Sequence, residues 1–181
     1  ASANIFAVGF GRMTTAANKV SVNVAGAQVS TIGKTQSVSS ISLADNTFSI
    51  TGHPFNTGDR VVVASTGTVP GGLSSAVSYY VISATADTIK LATSRANAVG
   101  GSDIDIQSAG SGTITVASDE IFTLTRAGSS GSVTLQKDGV TIATFTNTNS
   151  ASPLRLFYWC REQSASNSSP IVKEIKVRGA I

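Results

Sequence analysis

The sequence is poor in the residues from which most metal and catalytic sites are built. Its 181 residues include one Cys and one His, and only 13% are charged, against roughly 25% in ordinary globular domains. A single Cys cannot form an intramolecular disulfide or a Cys-type zinc site, and a single His excludes a multi-His metal site within one chain. We therefore expect no cofactor and no metal, and the composition argues against most classes of enzyme.

Long apolar runs and basic clusters are also missing. No stretch approaches the roughly 18–20 apolar residues that a membrane-spanning helix needs, so we expect no membrane insertion. The net charge of +3 comes from 13 basic and 10 acidic residues. The basic residues are scattered, whereas nucleic-acid-binding domains cluster them on one face. We therefore expect no nucleic-acid partner.

Short alternating runs of apolar and polar residues are what the sequence has in abundance. They occur at 20–24, 133–136, 140–145 and 171–177, and this period of two is typical of strands with one buried face. Lys137-Asp138-Gly139 separates two of the runs, and Asp-Gly is a strong hairpin signal. The pattern predicts an all-β protein, a sandwich or a barrel, of which we favour an antiparallel sandwich.

The charge distribution suggests that the chain has two parts. Residues 36–117 hold three basic and five acidic residues, a net charge of −2. Residues 1–35 carry +3, and residues 118–181 carry seven basic and five acidic residues, a net of +2. A mildly acidic middle segment therefore lies between two basic outer segments.

The middle segment carries a series of short pieces in a recognisable order. They are 45–59 (with Gly52-His53-Pro54-Phe55), 67–73, 79–82, 87–92, 103–106 and 110–113. Their order resembles a small β-module that recurs in tail and other virion proteins of bacteriophages. The resemblance covers about 80 residues and implies a small β-domain over 36–117.

The outer segments resemble two parts of a lectin-like, concanavalin-type sandwich of jelly-roll character. The resemblance rests on 7–11, 20–24, 122–126, 133–137, 142–146 and a closing strand at 175–177. The first part would connect directly to Asp119-Glu120-Ile121 if 36–117 were removed. We therefore predict a discontinuous sandwich, 1–35 with 118–181, interrupted by an inserted domain, 36–117. Such sandwiches have more strands before Gly9-Phe10, so either this sandwich is minimal, or a partner chain completes it, or the sequence is a piece of a longer protein. An incomplete sheet leaves an open edge that can pair with another chain, and we therefore expect an oligomer, a homotrimer.

Four residues near the C-terminus are the candidate site. In a strand, Arg155, Phe157, Trp159 and Arg161 share one face, while residues 154, 156, 158 and 160 form a core-like face. Aromatic rings can stack on sugars and Arg can bind hydroxyls or carboxylates, but the same residue types are enriched at protein interfaces. Ordinary packing, a subunit interface and ligand binding all stay open.

Other polar residues suggest turns and solvated positions. Asp103 and Asp105 would share a strand face as solvated carboxylates, although two such groups could contact a hard cation. His53 is interpreted as a turn residue, because no nucleophile motif accompanies it. A glycosidase needs two carboxylates across a cleft, and Glu120, Glu162 and Glu174 form no evident pair.

These observations predict a non-enzymatic structural component of a bacteriophage virion. A tail tip, a tail fibre and a head decoration protein are all compatible with the resemblance. The chain would assemble in the host cytoplasm with itself and with other virion proteins, through sheet edges and apolar faces. The alternative is a carbohydrate-binding, lectin-like module for host-envelope glycans. A hydrolase using Glu120 and Glu162 is the third hypothesis.

Overall fold

The structure is a computed structural model that describes residues 8–12, 19–24, 27–33, 35–126, 132–145 and 158–161, with side-chain contacts for 35–125 and 132–144. This part of the chain contains fourteen strands and one short helix. In order they are β1 (Val8–Arg12), β2 (Lys19–Val24), β3 (Ala27–Gly33), β4 (Gln36–Ser37), β5 (Ser40–Ser42), β6 (Thr47–Ser49), β7 (Arg60–Ser65), β8 (Ser78–Ser83), β9 (Thr88–Ala92), α1 (Arg95–Gly100), β10 (Ile114–Ser118), β11 (Phe122–Arg126), β12 (Val133–Lys137), β13 (Val140–Phe145) and β14 (Tyr158–Arg161).

The strands form three sheets, with the orders β14-β1-β2-β3, β4-β10-β7-β8-β9-β6-β5 and β11-β12-β13. All neighbours pair antiparallel except β1 and β14, which are parallel. The prediction of an all-β, antiparallel fold is confirmed, and the three sheets are consistent with a sandwich. The predicted strand at 171–177 lies outside the described residues.

The seven-stranded sheet closes on itself. Its two edge strands, β4 and β5, are separated in the chain by only Val38 and Ser39. The Val38 N–H donates to the Ile114 carbonyl at 2.9 Å, on the β10 side, and the Ser39 N–H donates to the Ser49 carbonyl at 2.9 Å, on the β6 side. One short segment therefore joins both edges of the sheet, which we call the closed sheet. All its strands come from residues 36–118.

Side chains alternate between the inside and the outside of the closed sheet because successive residues of a strand point to opposite faces. Strand β7 buries Val61 and Val63, and β10 buries Ile114 and Val116, with less buried residues between them. The inward positions form one apolar cluster: Phe48, Ile50, Phe55, Val61, Val63, Leu73, Tyr79, Val81, Ile89, Leu91, Ile106, Ile114 and Val116. This core fixes the register of the strands around it.

Two Gly-rich loops pack against each other at one end of the closed sheet. Gly71 pairs with Ser108 in an isolated bridge, and the Ser111 N–H donates to the Thr68 carbonyl at 2.9 Å. Gly110 has φ +73°, and a Cβ on it would lie 2.4 Å from the Thr68 carbonyl oxygen. Glycine is therefore needed there both for the backbone conformation and for the close approach.

The three-stranded sheet has one apolar and one hydroxyl-rich side. Strand β12 buries Val133, Leu135 and Lys137. On the other side, register places Thr125, Thr134 and Thr144 in one row across the sheet, and Thr123, Gln136 and Thr141 in a second. The hairpin between β12 and β13 turns at Asp138 (φ +49°) and Gly139 (φ +80°), as a type I′ turn requires. The predicted Asp-Gly turn is confirmed.

Candidate functional site

The structure describes two of the four predicted site residues as part of a strand. Trp159 and Arg161 lie in β14, where they pair with Gly9 and Gly11 of β1. Arg155 and Phe157 lie outside the described residues. On the other side of β1, Gly9 pairs with Asn23 of β2, and Gly11 pairs with Ser21 of β2.

These pairings define two rows across the four-stranded sheet. The first row is Trp159, Gly9, Asn23 and Gln28, and the second is Arg161, Gly11, Ser21 and Thr31. The alternate rows hold mostly apolar residues, among them Val8, Phe10, Val22 and Val24. By register, Trp159 and Arg161 therefore belong to rows that otherwise hold glycines and uncharged polar residues.

A second group of residues, which sequence reasoning missed, lies between the closed sheet and the three-stranded sheet. The Lys137 ammonium donates to Asp59 Oδ1 at 2.8 Å and lies 2.7 Å from Glu120 Oε1. The side chains are 11% exposed for Lys137, 10% for Asp59 and 1% for Glu120. We call these three residues the Lys137 cluster.

Each member of the Lys137 cluster is positioned by a different element. Lys137 is the last residue of β12, on the side of that strand that also buries Val133 and Leu135. Asp59 immediately precedes β7, and its Oδ2 accepts from the Asn56 N–H at 2.8 Å. Glu120 lies in the three-residue linker between β10 and β11. The cluster therefore joins three separate parts of the chain.

The linker residues on either side of Glu120 are also held. Asp119 forms an ion pair with Arg60 of β7 at 3.1 Å, and Asp119 Oδ2 also accepts from the Ser78 hydroxyl at 2.6 Å. The Ile121 N–H donates to Asp138 Oδ1 at 2.8 Å, and the Asp138 N–H donates to the Ile121 carbonyl at 2.8 Å. Asp119 thus fastens the linker to the closed sheet, and Ile121 fastens it to the hairpin turn.

Burial changes the protonation equilibria of this group. It raises the pKa of Glu120 to about 7, against the opposing effect of the Lys137 charge. Burial alone would lower the pKa of Lys137, but the Glu120 charge and the hydrogen bond to Asp59 raise it, so the ammonium stays charged. Burial also raises the pKa of Asp138, against the hydrogen bond from Ile121. Glu120 is therefore the member that titrates near neutral pH.

The Lys137 cluster is built as a structural contact rather than as an open acid–base pair. A glycosidase pair needs two carboxylates on either side of a cleft with room for the sugar. Here Asp59 and Glu120 share one ammonium, and the Glu120 side chain is almost completely buried. Glu162, the other residue of the hydrolase hypothesis, lies outside the described residues.

The prediction that Asp103 and Asp105 share one face of a strand is wrong. Both lie in the irregular segment between α1 and β10, not in a strand. Asp103 is paired rather than simply solvated: its Oδ2 lies 3.0 Å from the Lys90 ammonium and accepts from the Asn46 amide at 3.3 Å. The Lys90 hydrogen bond holds the pKa of Asp103 below its ordinary value. The alternation of apolar and charged residues alone does not distinguish a strand from an extended segment that has no hydrogen-bonded partner strand.

His53 lies directly after the Thr51-Gly52 turn. Its Nε2 is 2.8 Å from the Thr85 carbonyl, and its ring stacks on Phe55 with centroids 6.2 Å apart. These contacts give the histidine a structural role at the end of the closed sheet.

One sequence signal could have indicated the Lys137 cluster. In β12 the buried phase of the alternation runs through Val133 and Leu135 to Lys137, and charged residues are rarely buried unless paired. A lysine in that phase predicts a buried counter-charge, although not which one.

No group of three or more His, Cys, Asp or Glu side chains that could hold a metal occurs among the described residues. In the same part of the chain, no helix has the length and apolar character to cross a bilayer. Comparison of the chain with protein-family models, with curated proteins and with solved structures found no match.

Proposed function

We propose that the chain is a non-enzymatic structural component of a bacteriophage virion, a tail tip, tail fibre or head decoration protein, that assembles as a homotrimer through sheet edges. The observation that carries the proposal is the contrast between the sheets. The two outer strands of the closed sheet, β4 and β5, are joined to each other by residues 38–39, whereas the outer strand β13 of the three-stranded sheet pairs with β12 and has no such junction among the described residues. An unpaired strand edge presents a row of N–H and C=O groups that can pair with another chain.

The composition of the three-stranded sheet supports an assembly role. Its hydroxyl-rich side contains no charged residue among Thr123, Thr125, Thr134, Gln136, Thr141 and Thr144. Charged side chains are one of the devices that block edge-to-edge pairing in monomeric proteins, and they are absent from this side of both edge strands. The closed sheet would act as a rigid module that carries the three-stranded sheet and its outer strands.

The virion assignment rests on the resemblance of the middle segment to a phage β-module. Residues 67–73 and 110–113, two pieces of that resemblance, lie against each other in the structure. The insertion of 36–117 into a lectin-like sandwich formed by 1–35 and 118–181 is part of the same proposal.

The assembly proposal is tested by the solution mass of the full chain, measured by light scattering. We expect a trimer for the parent chain and a smaller species for Thr144→Lys on edge strand β13. The matched control is Thr134→Lys in central strand β12, in the same cross-strand row, which should keep the trimer. A monomeric parent chain would contradict assembly through strand edges. Loss of the trimer in both variants would mean that the interface is the hydroxyl-rich side of the three-stranded sheet and not its edge.

The virion assignment is tested separately by mass spectrometry of purified virions from cultures that produce the chain. Stoichiometric amounts of the chain in the particles are the expected result. Its absence from particles would contradict the assignment even if the chain is trimeric.

A carbohydrate-binding module is the second candidate, because of the two rows across the four-stranded sheet. Gly9 has no side chain and is the strand neighbour of Trp159, and Asn23 and Gln28 follow in the same row. An aromatic residue beside amide and hydroxyl residues is suited to a sugar face and its hydroxyls. On a glycan array we expect Trp159→Ala to lose binding and Trp159→Phe to keep part of it. Equal binding by both variants and the parent would exclude Trp159 from such a site.

A further inference from the structure

Three residues, Asp119, Glu120 and Ile121, connect the closed sheet to the three-stranded sheet. The outer two are held by hydrogen bonds to Arg60 and Asp138 respectively. The middle one, Glu120, contacts Lys137 of the three-stranded sheet, which in turn contacts Asp59 of the closed sheet.

We propose that the Lys137 cluster is a pH-sensitive junction, which holds the three-stranded sheet against the closed sheet when Glu120 carries a proton and weakens when Glu120 is ionised. This inference does not rest on the virion assignment, because it uses only contacts within one chain.

The charge balance of the cluster gives the direction of the effect. With Glu120 protonated, the Lys137 ammonium and the Asp59 carboxylate balance each other. With Glu120 ionised, the cluster carries one uncompensated negative charge, at a side chain that is 1% exposed. Its second oxygen, Oε2, is buried and has no hydrogen-bond partner among the described residues. A buried charge without full compensation is costly, and separation of the sheets would hydrate it.

The surrounding charges do not remove this imbalance. Asp138, in the β12–β13 turn, adds a second carboxylate close to Glu120, and its Oδ2 is also buried without a hydrogen-bond partner in the described part. Arg60 of β7 and Asp119 of the linker are opposite charges paired with each other. Among the described residues, the cation in direct contact with Glu120 is Lys137, which also binds Asp59.

The expected size of the effect follows from proton linkage. In an open junction Glu120 is hydrated and has its ordinary pKa of 4.5, whereas burial raises it to about 7 in the closed junction. The opening equilibrium should then increase about 30-fold between pH 5.5 and pH 8. The junction can open without unfolding the closed sheet, because Glu120 lies in the linker, outside the apolar core of that sheet. Amides of the three-stranded sheet should therefore have larger opening constants than amides of the closed sheet.

Hydrogen exchange of the full chain tests the proposal. Opening constants of amides in β11–β13 and in β7–β10 would be measured at pH 5.5 and pH 8, each corrected for the intrinsic exchange rate. We expect the increase of about 30-fold in β11–β13, at opening constants larger than those of β7–β10, and no such increase in Glu120→Gln, which has nearly the same shape and never ionises. Asp103→Asn, which removes the carboxylate of the Lys90 pair, is the matched control and should keep the increase.

Several outcomes would overturn the proposal that the Lys137 cluster is a pH-sensitive junction. One is an unchanged opening of β11–β13 across this pH range in the parent chain. Another is equality of the opening constants of β11–β13 and of β7–β10 at both pH values, which would mean that the two sheets open only together, by global unfolding. A third is persistence of the change in Glu120→Gln. As a second measurement, the carboxyl ¹³C shift of Glu120 should titrate near neutral pH, and a midpoint near the ordinary glutamate value would equally refute the inference.

Discussion

Replacement of Lys137 by Met gives the sharpest test of how the two sheets are held together. The methionine side chain keeps much of the length of the lysine but removes the ammonium that lies 2.8 Å from Asp59 and 2.7 Å from Glu120. Removing one partner of a buried ion pair costs about 3–5 kcal/mol, because the remaining charge stays buried without a counter-charge. For a chain of this length that corresponds to a decrease of about 10 °C in Tm.

The penalty of Lys137→Met should depend on pH with a defined sign. Without the ammonium, burial raises the pKa of Glu120 with no opposing effect of the Lys137 charge, so the folded state binds more protons than the unfolded state. Stability is then lost as the pH rises above the ordinary carboxylate pKa and is recovered as the pH falls. We therefore expect the variant to differ most from the parent chain near pH 8, and least near pH 5.

Urea unfolding followed by circular dichroism would measure this penalty, with Lys90→Met as the matched control. Lys90 pairs with Asp103 at 3.0 Å, but its side chain is 30% exposed, so its loss should cost less than about 1 kcal/mol. A cost for Lys137→Met within about 1 kcal/mol of that control, at pH 8, would refute the assignment of a strong buried contact. The stability recovered when Lys137→Met is combined with Glu120→Gln would directly measure the coupling energy between these two side chains.

Three further predictions concern Glu120, the tight loop and the core. Raising the pH from about 4.5 to about 7 should decrease the free energy of unfolding of the parent chain by up to about 3 kcal/mol through Glu120, and Glu120→Gln should remove that slope in urea unfolding. Gly110→Ala should destabilise by about 1–3 kcal/mol in thermal unfolding, whereas Gly100→Ala, where a Cβ meets nothing within 4 Å, should be neutral or slightly stabilising. Leu91→Ala should cost about 2–5 kcal/mol and Leu43→Ala, at a side chain 45% exposed, much less, by the same measurement.

Local patterns in the sequence predict much of the strand content. The runs at 133–136 and 140–145 correspond to β12 and β13, and the turn between them lies where Asp138-Gly139 places it. These predictions succeed because alternation and turn chemistry are properties of a few neighbouring residues. The closure of the seven-stranded sheet is different. It depends on Val38 and Ser39 changing hydrogen-bond partner from one edge to the other, and no local pattern encodes that.

For the predicted site as well, the sequence indicates local structure but not which distant residues pack beside it. Trp159 and Arg161 do lie in a strand, as the candidate site assumes, but the glycines beside them come from β1, far away in the sequence. Whether this row binds a ligand stays a prediction.

Lys137 shows how much of a buried site the sequence can disclose. The phase of β12 indicates that its side chain is buried, and burial of an ammonium requires a counter-charge. The hydrogen-bonded partner, Asp59, is 78 residues away in the chain, and Glu120 reaches the same ammonium from the linker between the two sheets. A charged residue in the buried phase of a strand thus predicts that a buried pair exists, whereas the identity of the partners follows only from the packing of the two sheets. Because those partners are two carboxylates for one cation, the pair that stabilises the junction also makes it sensitive to protonation.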